Sequence, residues 1–311
     1  MSGKIEAALM IEGQDGLTWP RWQRLAQAAE QLGFAGLYRS DHFTNADGPD
    51  QDSLELWVSL AWLAAHTRRI EFGPLVTPVS FRHPALTARM AAAVDDLSGG
   101  RLTLGVGAGW QAREHEHFGF DLLDVPARFA RFEEGLEVIT RLLRSDQPVD
   151  FAGDYYLLKD ALLLPRPARP GGPPLLIGGN GPQRTLPLAA RYADEWNAVF
   201  TPPQAFAELS ARLDDLLVQR GRRPEAVRRS LMTTVLYGRD AAALQRRVER
   251  YGRGQHSPDE LRRRGLLVGT AEQIAAQIEA LGQAGVQRVM LQWLEMDDLD
   301  GLEAVAQAIY R

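Results

Sequence analysis

The sequence contains no cysteine, no long apolar run and no excess of basic residues. Without cysteine, disulfides, thiolate metal sites and cysteine nucleophiles are all excluded. The N-terminal segment lacks the apolar core of a signal peptide, and no run approaches the ~20 apolar residues that a membrane span needs. With 40 acidic against 35 basic residues, the formal net charge is -5, which argues against a broad nucleic-acid-binding face. We therefore expect a soluble, cytoplasmic protein with no nucleic-acid or membrane partner.

Short apolar segments alternate with amphipathic helical patterns along the 311 residues. Eight of these segments have the length and apolar content of buried strands. They are Ile5–Ile11, Gly36–Arg39, Ile70–Val76, Leu102–Val106, Pro174–Gly178, Trp196–Phe200, Leu231–Leu236 and Arg288–Trp293. Eight alternating β and α units predict a (β/α)8 TIM barrel that forms a single domain over residues 1–311.

An open doubly wound sheet is the alternative architecture. It would carry a G-x-G-x-x-G turn near the first strand, followed by an acidic residue about 20 positions later. The turn after the first strand contains Gly13 and Gly16, which lack the G-x-G-x-x-G spacing. Gly105, Gly107 and Gly109 stand at every second position, so the final glycine of that motif is not in register either. The glycine spacing therefore favours the barrel.

Two stretches exceed the needs of a minimal barrel: about residues 145–173, rich in Pro and Gly near its end, and about residues 251–268, which carries an arginine run. Insertions after barrel strands often cover the site at the carboxyl ends of the strands. Both are therefore candidate lids.

Asp41 and His42 directly follow the second predicted strand and so fall at the carboxyl rim of the barrel. A histidine there can exchange a proton near neutral pH, and an adjacent carboxylate can raise its pKa and orient it. The alternative is a rim histidine that only hydrogen-bonds a loop.

Two glycine-containing strand ends are candidate ligand contacts. Residues 73–78 carry a Gly-Pro step that suggests a bulge where backbone approaches a flat ligand, although an ordinary strand end fits equally well. Residues 178–184 form a strand end, a glycine-rich turn and a helix start. Exposed N–H groups and the helix dipole make such a turn an anion site, to which Arg184 would add a charge-assisted contact.

The titratable residues Glu114, His115, Glu116 and His117 do not have metal-ligand spacing. Residues i and i+2 on a helix point apart, so the two histidines would not share a metal, and we expect no metal site. We interpret this cluster as structural. No G-x-S-x-G elbow occurs either, which removes a serine hydrolase. Trp110, after the fourth predicted strand, is a candidate wall for a ring-binding pocket.

Taken in order, these motifs resemble the luciferase-like monooxygenase superfamily, and within it the branch that uses the deazaflavin coenzyme F420. The resemblance covers nearly the whole chain. Its strongest pieces are residues 40–43, 82–86, 97–110, 114–115 with 118–119, 151–156, 177–181, 189–197 and 269–270.

The resemblance implies a TIM barrel with an extended insertion, whose mouth holds a flavin or deazaflavin ring against a bulge with a non-proline cis peptide, here expected at Pro74–Leu75. It also implies that His42 acts in proton transfer and that Asp41 touches the ring, so both are predicted catalytic residues. The predicted cofactor contacts are Asp41, Gly73, Pro74, Leu75, Val76, Gly107, Trp110, Gly178, Gly179, Asn180, Gly181 and Arg184.

The sequence departs from relatives at two positions. Many relatives carry an acid two residues after the tryptophan of the Gly-x-Gly-Trp turn, where this chain has Ala112. F420-dependent sugar-phosphate dehydrogenases have a glutamate where Trp110 stands, so a sugar phosphate is not the expected substrate.

The resulting hypothesis is an F420-dependent oxidoreductase that moves a hydride between the deazaflavin ring and a small alcohol, carbonyl or activated alkene. The first alternative is an FMN-dependent monooxygenase, which would need a separate flavin reductase as partner. The second is a flavin-binding protein without turnover. Relatives often dimerise, so a homodimer is possible.

Overall fold

The computed structural model describes residues 5–252 and 254–311. The strands are β1 (Glu6–Ile11), β2 (Gly36–Arg39), β3 (Glu71–Pro74), β4 (Thr77–Pro78), β5 (Leu104–Gly107), β6 (Val149–Ala152), β7 (Leu157–Ala161), β8 (Leu175–Gly178), β9 (Glu195–Val199), β10 (Arg228–Tyr237), β11 (Leu267–Gly269) and β12 (Arg288–Gln292). The helices are α1 (Trp19–Gln31), α2 (Leu56–His66), α3 (Pro84–Ser98), α4 (Ala112–Phe118), α5 (Val125–Arg144), α6 (Thr185–Tyr192), α7 (Pro203–Gln219), α8 (Ala241–Gly252), α9 (Pro258–Arg263), α10 (Ala271–Gln283) and α11 (Leu299–Tyr310).

The fold is a barrel of parallel strands surrounded by helices, as the eightfold alternation predicts. The strands run β3-β2-β1-β12-β10-β9-β8-β5-β4 around the sheet. Eight of these nine strands overlap the eight predicted from the sequence, and the ninth, β4, begins directly after the third predicted strand, which ends at Val76. Strand β1 is buried on both faces after its first residue, which is typical of a strand with a packed interior on one side and helices on the other.

Two glycines let the sheet close between the third and fourth predicted strands. There the Thr103 N–H donates to the Phe72 carbonyl at 2.8 Å. A Cβ on Gly73 would lie 1.9 Å from the Thr103 carbonyl oxygen, and one on Gly105 would lie 2.1 Å from that of Pro74. Only glycine permits this approach of the two strands.

The first extra stretch forms an antiparallel hairpin of β6 and β7. The hairpin is held on the side of α5, where the Glu134 carboxylate accepts backbone N–H groups of Asp154 at 2.8 Å and Tyr155 at 2.9 Å. The second extra stretch contains α9 and leads into β11, which pairs with β10. None of the described helices has the length and apolar character required to cross a membrane.

Candidate active site

A cavity of about 560 Å³ lies at the carboxyl ends of the barrel strands. This is where barrel enzymes carry their active sites, and the volume suits a small-molecule site. Its lining includes eight of the residues predicted from the sequence: Asp41, His42, Leu75, Val76, Gly107, Trp110, Gly178 and Gly179. The described residues of both extra stretches are absent from the lining, so the expectation that they form lids is wrong for this conformation.

The imidazole of His42 pairs with the carboxylate of Glu114, from helix α4. His42 Nδ1 lies 2.9 Å from Glu114 Oε1, and the second carboxylate oxygen accepts the Phe43 N–H at 3.1 Å. The Glu114 side chain is only 1% exposed, whereas that of His42 is 22% exposed. Because Glu114 accepts the proton on Nδ1, the other ring nitrogen, Nε2, is left beside the cavity, and it has no hydrogen-bond partner among the described residues.

The pKa of His42 is raised above its ordinary value. Burial alone lowers this pKa, but the hydrogen bond and charge of Glu114 outweigh burial, with smaller contributions from the charges of Glu12 and Asp41. The pair therefore favours protonated His42 more than an isolated rim histidine would.

Helix α4 presents Glu114 to the site because His115 anchors it. The His115 ring is buried, with Nδ1 2.6 Å from the Gln111 carbonyl and Nε2 2.8 Å from Ser80 Oγ. His117 is exposed, so the two histidines point apart as their spacing predicts. The structural interpretation holds for His115 but is wrong for Glu114, which lines the cavity. Its partner lies 72 residues away in the sequence, so no local pattern indicates the contact.

Both carboxylate oxygens of Asp41 accept hydrogen bonds from neighbouring side chains. Its Oδ2 accepts from Thr77 Oγ1 at 2.7 Å and from Arg82 Nη1, and its Oδ1 accepts from Arg82 Nη2 at 3.2 Å. Arg82 also reaches Glu55 Oε1 at 2.9 Å, at the start of α2. These bonds join the loop that carries His42 to strand β4. Asp41 therefore fixes the position of its neighbour, and its predicted contact with the ring stays a prediction.

The cavity wall between β3 and β4 contains a non-proline cis peptide bond. The bond joins Leu75 and Val76, so the expected position, Pro74–Leu75, is one residue too early. Leu75 and Val76 line the cavity, whereas Gly73 and Pro74 lie in the barrel wall against residues 103–105. The Gly-Pro step marks the irregular strand end, but the bend itself follows it.

The glycine-rich turn after β8 carries unused backbone donors. The N–H groups of Asn180, Gly181, Gln183 and Arg184 have no acceptor among the described residues. The turn leads into α6, whose first turn adds the positive end of its dipole. The Asn180 side chain is already used, since it donates to the Val199 carbonyl at 2.7 Å and accepts the Val199 N–H at 2.9 Å. An anion would thus meet backbone N–H groups rather than this amide.

Arg184 and Trp110 occupy the cavity edge. The Arg184 guanidinium lies 5.8 Å from the ring centroid of Phe129, a cavity-lining residue, and forms no ion pair among the described residues. Trp110 is 62% exposed and its ring stands edge-on to His42 at 5.5 Å. Trp110 is thus an exposed aromatic wall next to the candidate acid–base group.

These features define a barrel enzyme site with one histidine–carboxylate pair, an apolar wall and an adjacent glycine-rich turn with unused backbone donors. The sequence profile of luciferase-like monooxygenases matches residues 6–288. The chain therefore belongs to the luciferase-like monooxygenase family, whose members are flavin- or F420-dependent oxidoreductases and monooxygenases.

Relatives of known activity include both dehydrogenases and monooxygenases. The chain is 36% identical over 208 residues to a 4-hydroxyprotoasukamycin monooxygenase of Streptomyces nodosus subsp. asukaensis, covering 67% of this chain and 53% of the relative. It is 36% identical over 177 residues to an F420-dependent hydroxymycolic acid dehydrogenase of Mycobacterium tuberculosis, covering 56% and 47%. The chain thus spans about half the length of each of these relatives.

A solved structure of an F420-dependent secondary alcohol dehydrogenase in complex with an F420-acetone adduct superposes with a TM-score of 0.85. That alignment covers 99% of both chains at 22% sequence identity. At this identity the likeness concerns the fold, and it confirms the (β/α)8 barrel.

Proposed function

We propose that this protein is an F420-dependent oxidoreductase that moves a hydride between the deazaflavin ring and a small organic substrate. The observation that carries the proposal is the His42–Glu114 pair, which leaves Nε2 of His42 without a partner beside the cavity. The names of the M. tuberculosis relative and of the superposed alcohol dehydrogenase support F420 as the cofactor.

The residues of the site fit a ring with an attached phosphate. Leu75 and Val76 offer an apolar surface to one face of a flat ring, and the four N–H groups of residues 180–184 match the acceptors of a phosphate. Arg184 would add a positive charge at the same edge. F420, when bound, supplies a ring carbon that gives or accepts a hydride.

Within this proposal His42 handles the proton that accompanies hydride transfer. Glu114 fixes the proton on Nδ1, so Nε2 is the nitrogen that exchanges a proton with the substrate oxygen or carbon. The Asp41–Arg82 contacts hold the His42 loop in place, and Trp110 limits the space in which the substrate lies.

FMN is the second candidate cofactor, because some relatives carry monooxygenase names. One of them, an FMNH(2)-dependent dimethylsulfone monooxygenase of Pseudomonas putida, is 29% identical over 206 residues. With FMN the protein would activate oxygen and would depend on a separate flavin reductase.

The test is a titration of the purified protein with F420 and with FMN, followed by ring fluorescence. Binding of F420, together with conversion of a neutral alcohol or ketone from a panel, is the expected result. Tight binding of FMN without any response to F420 would contradict the preferred cofactor. Binding of F420 without turnover of any panel member, in the wild type and in His42→Ala alike, would favour a non-catalytic flavin-binding protein.

A further inference from the structure

We infer that Asn197 is a cofactor-binding residue, whose side-chain oxygen accepts a hydrogen bond from the imide N–H of the flavin or deazaflavin ring. This inference rests on the proposed function and adds a ring contact to it. It follows from the hydrogen bonds of the Asn197 amide and from the position of this residue next to the glycine-rich turn.

Asn197 is a polar residue in an apolar part of the barrel interior. It lies on β9, lines the cavity and is 1% exposed. The preceding residue, Trp196, packs outward against Phe206 of α7, so Asn197 points inward because side chains alternate along a strand. The barrel interior holds a buried apolar cluster of Ala8, Met10, Tyr38, Leu75, Leu176, Met232 and Met290. A polar group in such surroundings needs hydrogen-bond partners.

The amide nitrogen of Asn197 has two acceptors. Nδ2 donates to Ser230 Oγ at 2.9 Å and lies 3.6 Å from the sulfur of Met290. A thioether sulfur only accepts hydrogen bonds, and the Ser230 hydroxyl donates its own proton to the Trp196 carbonyl at 3.2 Å. Both neighbours therefore require the nitrogen on their side of the amide, which fixes its orientation.

The amide oxygen of Asn197 has no donor. None of the described residues donates to Oδ1. The oxygen is accessible from the cavity, unlike Glu195 Oε1, which also lacks a partner but is sealed from solvent. Buried carbonyl oxygens nearly always accept a hydrogen bond. An accessible one without a donor is therefore available to an N–H or O–H group of a bound molecule.

Asn197 lies on the cofactor side of the cavity. It pairs in register with Gly178, and its backbone carbonyl accepts the Gly179 N–H at 2.9 Å. These glycines begin the turn whose unused N–H groups are proposed to hold the phosphate. Strand β2, which leads to His42, is separated from β9 by β10, β12 and β1. The cofactor, rather than a substrate beside His42, is therefore the molecule that reaches Asn197.

The imide is the part of the cofactor that matches this acceptor. The oxidised flavin ring has one N–H, between two carbonyl groups, and the deazaflavin ring has the same imide. Hydrogen bonds to ring nitrogens are a means by which proteins hold and tune such cofactors. The apolar interior around Asn197 suits the flat ring rather than the hydroxyl-bearing chain that joins it to the phosphate. Because F420 and FMN share the imide, the contact is expected with either.

Methylation of the imide nitrogen tests the contact, because it removes the N–H and leaves the rest of the cofactor unchanged. Dissociation constants of F420, FMN and their N3-methyl forms are measured by ring fluorescence. The proteins are the wild type and Asn197→Leu, which keeps nearly the same side-chain volume but has no acceptor. We expect the wild type to bind the unmethylated ring about tenfold more tightly than the methylated one. Asn197→Leu should reduce this preference severalfold.

The control is Asn45→Leu, since Asn45 lies outside the cavity lining and its Nδ2 donates to the Gln14 carbonyl at 3.3 Å. It should leave the preference unchanged. Equal binding of both forms by the wild type overturns the inference and needs no variant. So does a preference that Asn197→Leu keeps in full, since the size of the methyl group alone would then explain it.

The same titrations separate this contact from the proposed function. Binding of FMN but not of F420, with an imide preference that depends on Asn197, contradicts the preferred cofactor and supports the contact. Binding of F420 without an imide preference supports the cofactor and overturns the contact. Binding of neither overturns both.

Discussion

The two ends of the barrel use charged residues in opposite ways. At the amino end of the strands, all three guanidinium nitrogens of Arg288 donate: Nε to Glu6 at 2.9 Å, Nη1 to the Tyr38 hydroxyl at 2.7 Å and Nη2 to Glu71 at 2.8 Å. At the carboxyl end, Nε2 of His42 and several backbone N–H groups have no partner among the described residues.

The contrast separates structural from functional polar groups. Buried polar groups in a folded protein are nearly always hydrogen-bonded, and the guanidinium of Arg288 follows this rule at the amino end. Donors left without partners beside a cavity are available to a ligand. We therefore expect substitutions at the amino end to change stability, and substitutions at the carboxyl end to change binding and turnover.

The largest expected effect is on stability, for Arg288→Met. The change leaves the carboxylate of Glu195, whose side chain is 4% exposed, without its buried cationic neighbour, and such losses cost about 3–5 kcal/mol. Urea unfolding measures the free energy of unfolding. The control is Arg250→Met, since this arginine is 70% exposed and exposed ion pairs contribute less than about 1 kcal/mol. Equal losses of unfolding free energy in the two variants would contradict the structural role assigned to the amino end.

His42→Ala should lower turnover by about 100-fold, because it removes the group proposed to exchange the proton. Steady-state kinetics with the best neutral substrate of the panel measures the change. Cofactor affinity should change little, whereas the urea midpoint should fall, because the Glu114 carboxylate, 1% exposed, loses its partner. His117→Ala, on the exposed side of α4, is the control and should keep full turnover. A His42→Ala variant that turns over at the wild-type rate would remove this residue from the mechanism.

Glu114→Gln should lower the pKa of His42 and reduce turnover by about tenfold. The carboxylate raises this pKa in the folded protein, whereas burial, which remains in the variant, lowers it. Histidine side-chain NMR across a pH titration measures the pKa directly.

Glu114→Gln should also change the free energy of unfolding, and the direction of its pH dependence follows from the raised pKa of His42. Because the folded-state pKa of His42 is raised, the pair stabilises the fold fully below the unfolded pKa of histidine, about 6.5. This contribution disappears as the pH rises through the folded-state pKa. The stability difference between the wild type and Glu114→Gln should therefore be larger at acidic than at alkaline pH. A difference that grows with pH would contradict the assignment.

Arg184→Gln should have the smallest effect, a loss of about threefold in cofactor affinity, since it removes one exposed charge near the helix start. The loss should vanish for the phosphate-free ring fragment of the same cofactor and at high salt. Fluorescence titration measures both. Arg191→Gln, in the last turn of α6, serves as the control. An equal loss for the phosphate-free fragment would place Arg184 against the ring instead.

The barrel was predictable because its strands are short, apolar and regularly spaced. Predicted strands such as Gly36–Arg39 agree with the observed bounds, and His42 falls at the carboxyl rim because it follows one of them. The hairpin of β6 and β7 was missed because its strands are only 4 and 5 residues long, are largely exposed and carry no apolar run.

The remaining site features depend on contacts between distant segments. Glu114 meets His42 only because His115 fixes the rotation of α4. The cis bond lies at Leu75–Val76, one residue beyond the position expected from the Gly-Pro step. The engagement of Asn180 with Val199 is likewise a product of strand pairing. No local sequence pattern carries such information.

The most direct test of the proposed site is the NMR signal of the His42 side chain during titration with F420 and with FMN. The proposal predicts saturable binding of F420 that shifts the His42 ring resonances, while those of exposed His117 stay constant. Binding of neither cofactor, or binding that leaves His42 unshifted, would contradict a ring-binding site at this end of the barrel.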